Sequence, residues 1–121
     1  MFIHETATIS EQAYFEEDVK IWVNAQVREN SYVGAKTTLS KDVYIDCDVQ
    51  IGKRCKIQNG VSVYKGVTIG DDVFIGVNSI INKGVSIGNR SIIAAGSVVV
   101  KSVPKDEIWG GNPAFFIKKL I

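Results

Sequence analysis

Histidine is nearly absent from this chain: His4 is the only one, and proline (two) and methionine (one) are almost as scarce. A metal centre built on several imidazoles is excluded by that count, and so is a proline-rich linker. The two cysteines, Cys47 and Cys55, lack a C-x-x-C spacing. They read as reduced, buried thiols rather than as a zinc site or a disulfide framework, and no metal is expected. Neither sign of charge dominates. Fourteen basic residues against thirteen acidic ones leave a net +1, which gives no electrostatic case for nucleic acid or a membrane surface. No apolar run reaches membrane-spanning length, and MFIHETATIS has no basic stretch leading into an apolar one. A cytoplasmic, single-domain protein is the expectation for 121 residues.

A period of six runs through the sequence. Every sixth residue from Ile3 to Val99 is aliphatic, with Phe15 the one exception, and the register never slips. Two residues before each of these stands a small or β-branched one, among them Ala25, Thr37, Val61, Ser79 and Ser97. Just after it, Gly34, Gly52, Gly70, Gly76 and Gly88 recur, where a corner is expected to need permissive dihedrals. A period of six fits neither a helix at 3.6 residues nor a coiled coil at 3.5. It fits short strands alternating with corners, each strand turning one large and one small side chain inward.

The unit of large aliphatic, Gly, two variable residues, small residue and variable residue resembles the hexapeptide repeat of left-handed parallel β-helix acyltransferases. The resemblance covers essentially the whole chain. It implies an all-β solenoid of triangular coils, eighteen residues and three hexapeptides each, or about five and a half coils over residues 1–103. The hand comes from the resemblance alone, since the general crossover rule favours the opposite one. Residues 104–121, which with Val103 read VPKDEIWGGNPAFFIKKLI, are similar to the usual end of bacterial acetyltransferases of this group. A short helix from Pro113 is expected there, with Phe115, Phe116 and Leu120 capping the open end. The resemblance further implies a homotrimer that binds acyl-CoA between neighbouring prisms.

Residues eighteen apart stack on adjacent coils, roughly 4.8 Å apart. One such column is Glu5, Val23, Lys41, Asn59, Val77 and Ala95. The resemblance puts the pantetheine arm of acetyl-CoA along Val77 and Ala95, bound by backbone groups, with Lys101, Lys118 and Lys119 near the phosphates. Lysines near a C-terminus are also ordinary solvated side chains. Acyl transfer needs a nucleophile, a route for its proton and donors for the oxyanion. Many relatives supply the proton acceptor as a histidine on a protruding loop, and no loop interrupts the register here. His4 lies three coils from Gln58 in its own column, roughly 14 Å away.

The stretch CKIQNGVSVYKGVTIGDDVFIG is most similar to nucleotide-sugar N-acetyltransferases, such as those acting on UDP-2-acetamido-3-amino-2,3-dideoxyglucuronate. In that group the matching asparagine, here Asn59, sits beside the sugar amine. The backbone N–H of Gly76 or Val77 would face the oxyanion. Asn59 can equally be a corner residue bonding only backbone. Tyr64, Asn78, Asn82, Asp71 and Asp72 are polar residues near this region, the first three being the candidate acceptor contacts. Those enzymes carry a long segment after V-F-x-G, whereas here VFIG runs directly into VNSIINKGVSIG.

The expected activity is thus acetyl-CoA-dependent acylation of a nucleotide-linked or amino sugar in surface polysaccharide synthesis. A catalytically silent solenoid, serving as scaffold or assembly partner, is the alternative. A γ-class carbonic anhydrase needs three histidines for zinc. An ice-binding ladder needs stacked threonines, and Thr6, Thr8, Thr37, Thr38 and Thr68 do not recur at eighteen.

Overall fold

A computed structural model describes residues 1–121. Seventeen two-residue strands follow one another at six-residue intervals, from β1 (Phe2–Ile3), β2 (Thr8–Ile9) and β3 (Tyr14–Phe15) to β17 (Val98–Val99). All but the last three pair in parallel with the strand eighteen residues on, as Ile21 with Leu39 and Ile57 with Ile75. Three parallel sheets result, here called faces A, B and C after β1, β2 and β3. The chain winds through nearly six coils.

The second residue of each strand points into the prism, and from the second coil on it is buried. Ile21, Leu39, Ile57, Ile75 and Ile93 form one such internal column, joined to the small inward residues in a core of 25 side chains. Burying one such aliphatic side chain is worth about 1.5–3 kcal/mol. The small inward hydroxyls bond coil to coil: Ser31 Oγ donates to the Asp46 carbonyl at 2.6 Å and Thr37 Oγ1 to that of Gly52 at 2.7 Å. A buried serine is tolerated inside an apolar column for that reason.

The corners correct one expectation. Gly34, Gly52, Gly70, Gly76 and Gly88 do not have left-handed dihedrals. A Cβ on Gly76 would lie 2.5 Å from the backbone nitrogen of Ala95, and one on Gly34 the same distance from the Gly52 carbonyl carbon. Glycine serves there to let adjacent coils approach. The left-handed residue comes two positions later, at every sixth residue from Asp18 to Gly96. Asp and Asn, which tolerate that region, fill many of these sites, along with Gly60, Gly66, Gly84 and Gly96.

The tail is a second correction, for it contains no helix. β18 (Glu107–Gly111) adds to face A in parallel with Ile92 and Ile93, and β19 (Ala114–Lys119) pairs with it antiparallel. The turn between them holds a cis Asn112–Pro113 peptide. The open edge left at Ile92–Ile93 offers a full set of hydrogen bonds, and six residues of helix could not replace them. Phe115 and Phe116 do not cap the end: they are 65% and 47% exposed. Val103, Ala114 and Trp109 cover it instead, packed against the core. The two ends differ, with Val99 fully buried and Ile3 39% exposed.

Candidate functional site

The corner between faces A and B carries the column of Asn59, Val77 and Ala95. From the second coil on, the chain makes a turn there whose third residue has positive φ, as at Asn78 and Gly96. Hydrogen bonds stack the turns: Asn78 N–H donates to the Asn59 carbonyl at 2.9 Å, and Gly96 N–H to that of Val77 at 2.8 Å. The amides of Asn59, Val77 and Ala95 themselves donate to no group in the chain. Those of Glu5, Val23 and Lys41 above them are equally free.

The equivalent amides at the other corners are partly taken. Between faces C and A, Glu16, Asp71 and Asn89 side chains accept from Ala35, Lys53 and Asp71 at 2.9, 2.8 and 2.8 Å. Between faces B and C, Asp46 and Asn82 accept from Cys47 and Lys83. Only the A/B corner keeps its whole ladder of outward N–H groups, and unpaired amides are strong binding groups. A long ligand with carbonyl oxygens along its length matches such a ladder.

Asn59 is exposed, and its side chain makes no hydrogen bond within the chain. The reading of it as a corner residue that only bonds backbone is thus not what the structure shows. Of the two amides expected to face an oxyanion, that of Gly76 is spent on the Ile93 carbonyl at 2.8 Å, which leaves Val77. Asn78 adjoins them, its side chain lying over Gly60.

The other predicted residues lie elsewhere on the prism. Tyr64 and Asn82 stack at the B/C corner and, with Asp46, Lys65 and Lys83, line a shallow cleft of about 230 Å³. Lys101 is exposed one coil beyond Lys83 in the same corner column, and Lys118 and Lys119 are exposed on β19. Asp71 and Asp72 hold the C/A corner together. Asp71 caps the Lys53 amide, and Asp72 accepts from Arg54 at 2.8 and 3.1 Å, which keeps its carboxyl below the usual range. His4 stays in the first coil, its Nδ1 engaged with Thr6 at 3.0 Å. Within one chain no histidine reaches Asn59.

Sequence reasoning passed over Trp22, which shares the column of His4 and Gln58 and stands exposed. A tryptophan at an outward position of the repeat was the available signal. It likewise passed over Lys65 and Lys83, spaced at eighteen beneath Lys101.

The fold has solved counterparts. Perosamine N-acetyltransferase from Caulobacter crescentus, in a single-residue variant with CoA and GDP-perosamine bound, superposes at a TM-score of 0.95 with 27% identity over 97% of this chain and 56% of that one. A hexapeptide-repeat acetyltransferase from Vibrio cholerae gives 0.73 and 28% over 91% and 72%. The acetyltransferase domain of PglB from Neisseria gonorrhoeae shares the fold at 0.94 and 23%, over 95% and 56%. The chain spans little more than half the length of the first and third of these. A family model, the hexapeptide repeat of succinyl-transferase, matches residues 27–65 and 66–101. That match takes in more than half of the sequence, and the chain belongs to the hexapeptide-repeat transferase family.

Proposed function

We propose that the chain is an acetyl-CoA-dependent acyltransferase that acetylates the amine, or a hydroxyl, of a nucleotide-linked or amino sugar. The observation that carries this reading is the A/B corner, where the free amides of Val77 and Ala95 lie in one column with the unbonded side chain of Asn59. Similarity to an N-acetyltransferase holding CoA and a nucleotide-linked amino sugar supports it.

In this reading the Ala95 amide donates to a carbonyl of the pantetheine arm and the Val77 amide to the carbonyl of the thioester itself, which sets the thioester beside Asn59. The Asn59 side-chain oxygen accepts from the acceptor amine and orients its lone pair. The Val77 N–H serves the oxygen that becomes negative as the new C–N bond forms. The C–S bond then breaks, and the amine's proton leaves to the departing thiolate or to water. No side-chain base is required of the chain, whose work is positioning.

Lys101, Tyr64 and Asn82 lie one corner away, and a second protomer would bring such a corner against the first. A homotrimer is therefore part of the proposal, as are a cytoplasmic setting and a role in surface polysaccharide synthesis. A silent scaffold is the second reading, favoured by the distance of His4 and the unbroken coils. Titration of acetyl-CoA by calorimetry, followed by assay of thiol release with nucleotide amino sugars, separates the two. Saturable binding and turnover support the transferase, while no binding at millimolar ligand supports the scaffold.

A further inference from the structure

The corner column next to the free amides changes character half-way down the prism. His4, Trp22, Ser40 and Gln58 carry functional or bulky side chains, whereas Gly76, Ala94 and Gly110 below them carry a methyl or nothing. Gly110 continues the column because β18 pairs Trp109 with Ile93, and the Ala94 N–H donates to the Trp109 carbonyl at 2.9 Å. A bare strip therefore runs beside Val77 and Ala95. Its far end is filled. Strand β19 turns back there, with Phe115 opposite Gly110. Ile117 Cδ1 lies 3.1 Å from where a Cβ on Gly110 would be, and the Phe115 ring lies 3.5 Å from that of Gly111. Both side chains are exposed.

The ladder of donors ends at the same level. The amides of Val77 and Ala95 are free, but that of Gly111, next down the corner, donates to Ser97 Oγ at 3.2 Å. Successive levels, roughly 4.8 Å apart, thus present a donor, a second donor and then an apolar pad.

An acylated pantetheine arm carries its groups in that order. The thioester carbonyl comes first, the β-alanyl carbonyl next, and then the pantoyl unit, whose quaternary carbon bears two methyls. A carbonyl suits each free amide, and a branched saturated group suits an aromatic ring beside an aliphatic side chain. With the thioester at Val77 and the β-alanyl carbonyl at Ala95, the pantoyl unit falls against Phe115 and Ile117. An arm running the other way would set its methyls beside the polar Gln58 and leave the thioester a coil farther from Asn59. The pad therefore gives the corner a direction.

We infer that the β18–β19 hairpin selects and orients the acyl donor: Phe115 and Ile117 hold the pantoyl methyls, and the thioester is thereby turned toward Asn59. The inference rests on the transferase reading, which lays the arm along the A/B corner. It gives two exposed apolar side chains a ligand of defined shape. The coenzyme's adenine ring and a neighbouring protomer are the other occupants that such a pad could take, and the test separates them.

Calorimetry with CoA and with desdimethyl-CoA, which lacks only the two methyls, reads the contact directly. Burying both methyls is worth about tenfold in affinity, so the parent chain should prefer CoA by about that factor. Phe115→Ala should narrow the preference, and Phe115→Ala with Ile117→Ala should bring it to about twofold or less, with melting temperature and particle mass unchanged. Phe116→Ala, one residue along the same strand, should keep the full preference. Equal binding of the two ligands by the parent overturns the inference. So does Phe115→Ala weakening both ligands by the same factor, which would give the ring to the adenine. A lower particle mass in the variants, measured by light scattering, would give the pad to a neighbouring protomer and overturn it too. Failure of CoA itself to bind the parent removes the transferase reading and this inference with it, whereas CoA binding without regard to the methyls removes this inference alone.

Discussion

The backbone carbonyl of Asn59 accepts the Asn78 N–H of the next coil at 2.9 Å, while the Asn59 side chain bonds nothing. The backbone of this residue therefore belongs to the fold, and its side chain is available to a ligand. Asn59→Ala should leave thermal stability within about 0.5 kcal/mol, the usual range for an exposed site without partners. Turnover of a nucleotide amino sugar should fall by about a hundredfold, as when a positioned polar group is removed from an acyl-transfer site. Unchanged turnover would take Asn59 out of the mechanism.

Two glycines should fail for different reasons. At Gly76 an added Cβ meets the Ala95 nitrogen, so Gly76→Ala has to push coils apart, costing about 1–3 kcal/mol. Gly84 has open space around its Cβ direction but φ of +74°, so Gly84→Ala should cost about 1–2 kcal/mol through its backbone alone. Gly84→Asn, which suits the left-handed region, should recover part of the loss, whereas Gly76→Asn should be no better than alanine. Denaturant melts of the four variants test the distinction, and a Gly76→Asn variant as stable as the parent would refute it.

Much of this was legible beforehand because the fold is one-dimensional. A residue's neighbours lie eighteen positions away, so the core column Ile21, Leu39, Ile57, Ile75 and Ile93 and the site column Asn59, Val77 and Ala95 are both arithmetic on the sequence. The same arithmetic separates Tyr64 from Asn59, since five positions carry the chain to the next corner. The glycines were harder. Gly76 and Gly84 are the same letter with opposite duties, and the left-handed series was written in the Asp and Asn residues between Asp18 and Asn78. The tail departed from its local signal because the open edge at Ile92–Ile93 is a tertiary feature, and Pro113 in a turn is as acceptable as Pro113 opening a helix. Which amides stay unpaired depends on neighbouring side chains such as Asp71 and Asn89, and no period reports that.

Acid should loosen the C-terminal end. Arg90 donates to both oxygens of Asp106, at 2.7 and 3.1 Å, and holds that carboxyl below the usual carboxylate range. A depressed carboxyl contributes stability above its unfolded pKa, near 3.9, and loses it as pH falls through the folded value. Thermal stability should thus be level above about pH 5 and decline below it. Asp106→Asn should lower the plateau and shallow the acid decline. Calorimetry from pH 7 to pH 2 shows this, and an acid limb identical in the variant would refute it.

The thiols should be slow to react. Burial pushes Cys55 up to about 11, and burial with the nearby Asp46 also raises Cys47. Little thiolate exists at pH 8 in either case. Iodoacetamide should modify the half-buried Cys47 first and reach Cys55 only on unfolding, as peptide mass spectrometry can follow. Rapid labelling of Cys55 in the native chain would contradict the packing of the core.

The most direct test removes one donor and nothing else. Val77 is the second residue of a turn in which Ser79 N–H bonds the Gly76 carbonyl at 3.3 Å and Asn78 has φ of +60°. That is a type II arrangement, whose second position accepts proline. Val77→Pro should melt near the parent's temperature yet bind acetyl-CoA at least tenfold more weakly by calorimetry, while Val77→Ala binds normally. Equal affinity for acetyl-CoA in a folded Val77→Pro chain would show that the coenzyme does not lie on this corner.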